Sequence, residues 1–211
     1  MREAWLRWGF FLIGLVILGL GVALTIKGQR FGVGSWDVLH IGLFKQLGLT
    51  IGSWSIIAGV VIVIIAAIGM REFPKIGTFI NMTTVGLVID FFNWLIPDPT
   101  TLIWQLTAFI SGIFLIGLGG GVYISAELGA GPRDSLMLLI VSKTRLSIRT
   151  ARTIMEVTVA IAGYLLGGPI GVGTVLMVFT LGPIMQLSMN KSVETLHRII
   201  EIKAKEKIAE G

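Results

Sequence analysis

Long apolar runs separated by short polar turns occupy most of the chain. Six of them approach the length that a helix needs to cross a bilayer core: residues 9–26, 50–68, 76–96, 102–125, 151–166 and 174–189. Two shorter stretches, 35–47 and 132–142, also show helical spacing of apolar residues, but as helices they would extend only about 20 Å. The pattern predicts an all-α protein with six spanning helices and two short or re-entrant helices.

Composition supports a membrane location. Of the 211 residues, 54% are hydrophobic and 14% are charged, with a mean hydropathy of +0.88. A soluble domain has roughly a quarter charged residues. The net charge of +5 does not indicate nucleic-acid binding, because the basic residues lie in turns between apolar runs and in the C-terminal tail. We expect a multi-pass protein of the cell (inner or plasma) membrane, surrounded by lipids.

The scarcity of two residue types excludes several kinds of site. The chain has no cysteine and only two histidines. Disulfides, thiolate metal sites and histidine metal clusters are therefore excluded. No pair of nucleophile and base stands out either. We expect no metal, no cofactor and no enzymatic activity.

A glycine-rich motif occurs twice, 97 positions apart. Gly32-Val33-Gly34-Ser35-Trp36-Asp37 returns as Gly129-Ala130-Gly131-Pro132-Arg133-Asp134, and later matches include Gly77-Thr78 with Gly173-Thr174 and Gly86 with Gly182. Such self-similarity indicates a duplicated unit. We assign residues 1–96 to the first repeat, 97–101 to a linker, 102–189 to the second repeat, and 190–211 to an amphipathic cytoplasmic tail on the membrane surface.

The relative orientation of the repeats depends on the two short helices. If these cross the membrane, each half has four spans and the repeats are parallel; if they are re-entrant, each half has three spans and the repeats are inverted. Equivalent turns differ in charge: residues 143–152 include four basic residues where the first repeat has only Lys45. Under the positive-inside rule, this difference favours inverted repeats with both termini cytoplasmic. The parallel arrangement of four plus four spans is the alternative.

Several motifs resemble those of a known family. Gly-x-Gly-x-Trp-Asp-x-Leu-His at 32–40, Leu-Gly-Leu-Thr-Ile-Gly-Ser-Trp at 47–54, Gly-Ala-Gly-Pro-Arg-Asp at 129–134 and Arg-Thr-x-x-Glu-Val-Thr at 152–158 are similar to the YczE-like membrane proteins, in the YitT/YczE group of bacteria and archaea. The resemblance covers nearly the whole chain and implies a multi-pass membrane protein. It implies no particular chemistry, because that family is known as membrane proteins of unknown function.

Asp37 and Asp134 are the first candidate site residues. Each follows a Gly-x-Gly break, formed by Gly32 and Gly34 or by Gly129 and Gly131, near the start of a short helix. An N-cap role would explain an acidic residue there. Two such helix starts meeting near the midplane would also form a cation or proton site, as in transporters built from inverted repeats. The two roles are compatible.

Arg133 occupies the position that Trp36 has in the first copy. We expect Arg133 either to pair with Asp134 or with lipid phosphate, or to bind an anionic substrate. Trp36 is expected to anchor at a membrane interface, where tryptophan is enriched.

Glu156 and His40 are further candidates in the apolar segments. Glu156 either pairs with Arg152 one helical turn earlier or faces a polar cavity, where acidic residues within membranes mark pathways and proton relays. His40 lies close to Asp37 along the same short helix. Either residue could couple proton movement to a central site.

The sequence favours a small-solute transporter or permease built from inverted repeats, with the paired Gly-x-Gly-x-x-Asp motifs as its central polar site. The alternative is a non-transporting partner or regulatory subunit of another membrane complex, which needs the fold but no cavity. A homodimer or a partner membrane protein is compatible with both hypotheses. A membrane enzyme is the third possibility.

Overall fold

The computed structural model describes residues 2–129 and 131–209 of the chain. Met1, Ala130 of the second motif and residues 210–211 of the predicted tail lie outside the described residues, as do the side chains of residues 2, 149 and 201–209. Within the described part the fold is all-α, with one 3-10 turn at Gln29–Phe31. Its helices are α1 (Arg2–Lys27), α2 (Ser35–Leu47), α3 (Ile51–Met70), α4 (Ile76–Leu95), α5 (Leu102–Ser125), α6 (Pro132–Lys143), α7 (Ile148–Leu165) and α8 (Val172–Ala209).

Among the described residues, five helices are long and apolar enough to cross a membrane: α1, α3, α4, α5 and α8. The predicted sixth span corresponds to α7, whose 18 residues include Arg149, Arg152 and Glu156. These charges lower its hydropathy, so the predicted count of six spans is not confirmed. The chain is an all-helical, multi-pass membrane protein.

Helices α1 and α5 form the centre of the bundle and run antiparallel. Gly14, in the middle of α1, lies against Tyr123 near the end of α5, and Gly28, just after α1, lies against Phe109 in the first half of α5. A methyl group on either glycine would overlap the neighbouring helix. Small residues at such contacts allow two helix backbones to approach closely in a membrane.

The remaining helices pack around this central pair. Helix α4 packs on α1 and α3, and α8 packs on α5. The short helices contact the opposite half of the chain: α2 packs on α7, and α6 packs on α3. Because each half supplies a helix to the other, the two predicted repeats interlock within one bundle.

Both short helices begin inside the bundle. Helix α6 begins with Pro132 beside Gly59, in the middle of α3, and Leu139 lies against Gly69 at the end of α3. The start of α2 packs near Met155 in the middle of α7, and Gln46 donates a hydrogen bond to the backbone oxygen of the residue after α7. Each therefore accompanies only about half of a neighbouring helix.

The predicted surface tail is a continuation of α8. That helix runs from Val172 to Ala209 with Pro183 inside it and without a break at Asn190. Leu196 is 1% exposed, and Ser192 is also buried. The segment is thus not a separate helix, and its attachment to the membrane surface stays a prediction.

Candidate functional site

The two Gly-x-Gly segments pack in equivalent surroundings, each against the other half of the chain. Gly32 has a φ of 108°, in the region that favours glycine, and a Cβ on it would lie 2.5 Å from Oγ1 of Thr174 at the start of α8. A Cβ on Gly129 would lie 2.9 Å from the backbone nitrogen of Thr78 at the start of α4. The Gly-Thr pairs that match between the repeats are therefore the surfaces on which the motifs rest.

Asp37 and Asp134 are not the cap residues of their helices. Gly34 and Gly131 hold the N-cap positions, without a side-chain cap hydrogen bond, and each aspartate is the third residue of its helix. An acidic group in the first turn still complements the positive helix end. The carboxylate of Asp134 interacts with the backbone N–H of Gly131, as the acidic residue of a capping box does.

Three residues of α2 form the first half of the site. Trp36, Asp37 and His40 are 4%, 3% and 1% exposed. Trp36 belongs to a buried cluster with Ile62 of α3 and Met137 of α6, together with residues of α7. The prediction that Trp36 anchors at a membrane interface is therefore wrong, because its ring packs where four helices meet.

Arg133 connects the two motifs. Its NH2 atom lies 3.8 Å from Oδ1 of Asp37, and its Cζ atom lies 5.2 Å from the centroid of the Trp36 ring. Its side chain is 43% exposed. Arg133 therefore pairs with the aspartate of the other motif and not with Asp134, among the residues that the structure describes.

Four buried polar atoms of the first half-site have no hydrogen-bond partner among the described residues: Nε1 of Trp36, Oδ1 of Asp37 and both ring nitrogens of His40. The closest approach within this group, from Nδ1 of His40 to Oδ1 of Asp37, is 3.6 Å, which is too long for a hydrogen bond. Nearly all buried polar groups in proteins have a partner. This half-site therefore has unused hydrogen-bonding capacity.

The second half of the site surrounds Gly131. A Cβ on Gly131 would lie 3.4 Å from the Tyr123 hydroxyl, 3.7 Å from Oδ1 of Asn81 and 3.7 Å from Oδ2 of Asp134. The positive charge of Arg152 in α7 acts on Asp134. These four side chains, of Asn81, Tyr123, Asp134 and Arg152, come from four different helices.

We call the two half-sites together the central cluster: Trp36, Asp37, His40, Arg133 and Asp134, with Asn81, Tyr123 and Arg152. Neither Tyr123 nor Asn81 is among the candidates that the sequence motifs predict. The one available signal for Tyr123 was its rarity, since the chain has two tyrosines. The predicted pairing of Glu156 with Arg152 is absent among the described residues, in which no salt bridge includes Glu156.

A cavity lined by both polar and apolar residues opens at one end of the bundle, where α1 and α4 end and α5 begins. It has a volume of about 820 Å³, and Asn93 and Gln105 line it with buried side-chain oxygens that have no partner among the described residues. Asp90, at its edge, accepts a hydrogen bond from the backbone N–H of Gly52 and another from the Thr50 hydroxyl. Asp90 thus joins α4 to the start of α3.

Comparisons with known proteins agree with the resemblance of the motifs. The family described as "Family of unknown function (DUF6198)" matches residues 5–190. The chain is 46% identical over 196 residues to "Uncharacterized membrane protein YczE" of Bacillus subtilis strain 168, covering 93% of this chain and 91% of that protein. It is 32% identical over 187 residues to "Uncharacterized protein YyaS" of the same organism (87% and 92%) and 35% identical over 183 residues to an "Uncharacterized protein" of Haemophilus influenzae (85% and 81%). No solved structure matches.

Proposed function

The chain belongs to the DUF6198 family of YczE-like membrane proteins, and from the geometry of its two motifs we propose that it is a transporter or permease for a small solute. One observation carries the proposal. The starts of two half-length helices, one from each repeat, converge inside the bundle, where Arg133 of α6 meets Asp37 of α2. Transporters built from inverted repeats bind substrates where half-helix ends meet near the bilayer midplane.

Three features of the packing support an inverted arrangement of the repeats. The corresponding helices α1 and α5 run antiparallel along their contact. Helices α2 and α6 are exchanged between the halves, onto α7 and α3 respectively. Both short helices begin in the interior and end toward opposite ends of the bundle. In this proposal α7 is the sixth span, with Arg152 directed at the central cluster.

Access to the central cluster is part of the proposal. At one end the 820 Å³ cavity is also lined by Phe44 from the C-terminal half of α2, so a solute in the cavity would contact the helix that carries Asp37. On the other side, the 43% exposure of the Arg133 side chain leaves its guanidinium accessible. The proposal includes no catalytic step and no cofactor.

A flux assay with purified protein in liposomes tests this function. The panel contains organic cations, neutral polar solutes and organic anions, measured by uptake and by solid-supported-membrane currents. We expect saturable flux of at least one solute class, lost in the Asp37→Asn/Asp134→Asn double variant. Empty liposomes and the Glu72→Gln variant, which changes an exposed turn residue, are the controls. Absence of flux for every class from folded protein, or equal flux from the double variant, would contradict the proposal.

A second candidate, a non-transporting partner subunit, is favoured by one asymmetry. Gly86 of α4 packs closely on Gly52 and Ile56 of α3. Its counterpart in α8 is Gly182, and a Cβ added there would have no atom within 4 Å among the described residues. An apolar face of α8 that includes Val178 and Phe179 is therefore exposed. Lipid or a partner helix could cover this face. A folded protein with no flux, together with unchanged behaviour of the Asp variants, would favour this candidate.

A further inference from the structure

The first half-site has the composition of a cation pocket. The Trp36 ring centroid lies 5.2 Å from the guanidinium carbon of Arg133, and the Asp37 carboxylate lies 3.8 Å from one of its nitrogens. Proteins commonly bind guanidinium and ammonium groups with an aromatic face and a carboxylate. The second motif therefore places its own cationic side chain in a pocket made by the first motif.

Arg133 fills this pocket incompletely. Its distance of 3.8 Å to Oδ1 of Asp37 exceeds hydrogen-bond length, and that oxygen has no other partner among the described residues. Neither ring nitrogen of His40 has one, nor does Nε1 of Trp36. All three side chains are more than nine-tenths buried, so each unmade hydrogen bond is unfavourable. A ligand that carries N–H donors on a cationic group would satisfy the carboxylate better than Arg133 does.

The geometry points to a solute with a cationic nitrogen group, a guanidinium or an ammonium, that binds between Trp36 and Asp37 in place of the Arg133 side chain. Arg133 is then the resident occupant when the solute is absent. Its 43% exposure gives the guanidinium a route out of the pocket. That this ligand is a transported solute rests on the proposed transport function. Its binding to the pocket can be measured without transport.

An anionic solute fits the same residues less well. The starts of α2 and α6 favour negative charge, but each already has an aspartate in its first turn. Arg133 lies near Asp37, and Arg152 acts on Asp134. Each positive group beside the motifs therefore already has a carboxylate nearby. The unused capacity includes the Asp37 oxygen, which repels an anion and attracts a cation.

The test removes the Arg133 side chain from the pocket and supplies free guanidinium in its place. Purified full-length Arg133→Ala protein in detergent is titrated with guanidinium chloride at millimolar, non-denaturing concentrations, and its melting temperature is recorded. Ligands that bind the folded state raise the melting temperature by mass action. We expect a saturable rise with guanidinium and methylguanidinium, and none with urea or with sodium chloride at matched ionic strength. Wild type should respond at least tenfold more weakly, because Arg133 competes for the pocket.

Further variants test whether the rise in melting temperature comes from binding at this pocket. Asp37→Asn in the Arg133→Ala background should abolish it, and Trp36→Leu in the same background should weaken it at least threefold by removing the aromatic face. Arg145→Ala, which removes an exposed arginine between α6 and α7, should respond to guanidinium as weakly as wild type. If Arg133→Ala does not fold, Arg133→Gln replaces it.

Two outcomes would overturn the inference: a folded Arg133 variant that does not respond to guanidinium, or an equal response with Asp37→Asn. Failure of both Arg133 variants to fold would also overturn it, because Arg133 would then be an obligatory structural element. The flux assay separates this result from the proposed function. Guanidinium binding without flux of any solute would support the cation pocket and contradict the transport function. Flux of anions alone, without guanidinium binding, would support transport and contradict the cation pocket.

Discussion

At the scale of single residues, the two motifs differ most at one equivalent position, and the two residues found there contact each other. Trp36 and Arg133 are equivalent in the duplication, and the structure places the guanidinium over the ring. In the proposed inverted arrangement, equivalent residues that touch lie near the axis relating the halves, where two identical arginines would repel each other. An aromatic ring facing a cation is attractive instead. Divergence at this position therefore follows from its place in the fold.

The aspartates offer a residue-scale prediction. Asp37→Asn and Asp134→Asn should fold with near-normal melting temperatures, because asparagine has nearly the same shape and keeps a side-chain oxygen that can accept a backbone hydrogen bond at the helix start. Each change removes a charge from the central cluster. A hydrogen bond to a charged group contributes about 1.5–3 kcal/mol, so we expect flux of the solute found in the liposome panel to fall roughly ten- to a hundredfold.

Melting curves and initial flux rates for each single variant, beside the Glu72→Gln control, check this expectation. Retention of full flux by both asparagine variants would make the two motifs architectural. A large loss of melting temperature in either variant would show instead that its carboxylate supports the fold.

At the scale of helices, the two halves differ in how their last two long helices pack. Helix α3 is held on α4 by the close approach of Gly52 and Gly86 and by the hydrogen bonds to Asp90. In the second half, Gln186 stands at the Asp90 position and bonds to Asn190 of its own helix. Arg149 stands in the sequence at the position that Gly52 has in the first half. Helices α3 and α4 are therefore closely packed, whereas α7 and α8 lack the corresponding contacts.

A matched pair of glycine substitutions measures this difference. A Cβ on Gly86 would lie 2.7 Å from the backbone oxygen of Gly52 and would overlap Ile56. Gly86→Ala should therefore destabilise the protein by about 1–3 kcal/mol, as overpacked sites do. Gly182→Ala should be neutral or stabilising by up to about 1 kcal/mol, because alanine favours the helix and the site is open. Equal melting temperatures for the two variants would contradict the asymmetric packing.

At the scale of the whole molecule, the exchange of α2 and α6 makes the two halves dependent on each other. Each Gly-x-Gly break rests on the Gly-Thr start of the other half's last helix, Thr174 or Thr78. Irregular backbone at membrane depth is tolerated only where protein buries it or where it lines a cavity. Much of that cover comes from the other half, so we do not expect either half to fold alone.

Cysteine labelling tests the inverted arrangement. Gln46 and Lys143 are equivalent in the duplication, both are exposed, and the chain has no native cysteine. A membrane-impermeant maleimide added to intact cells should label Gln46→Cys but not Lys143→Cys, with Phe73→Cys as a second position protected inside the cell. Both variants should label equally after the membrane is opened. Labelling of Gln46→Cys and Lys143→Cys from the same side would mean that the repeats are parallel.

The sequence by itself determined much of the architecture. Apolar runs fixed the long helices, because only a helix satisfies its own backbone in lipid, and α1, α3, α4, α5 and α8 lie close to their predicted positions. The two motifs located the short helices and the aspartates. Position along the chain could not show that the α8 helix continues past Asn190. The polarity of α7, in contrast, was readable from its sequence, which includes Arg149, Arg152 and Glu156.

Only the tertiary structure decided which residues form the site. Trp36 is buried because α2 crosses to α7 and meets α3 and α6, and a sequence pattern contains no information about that crossing. For the same reason Arg133 forms its ion pair with Asp37 and not with Asp134. Arg133 and Asp37 lie 96 positions apart in the sequence. Tyr123 and Arg152 join the cluster from α5 and α7. Local chemistry determines which segments become helices, whereas packing between distant helices determines which side chains meet.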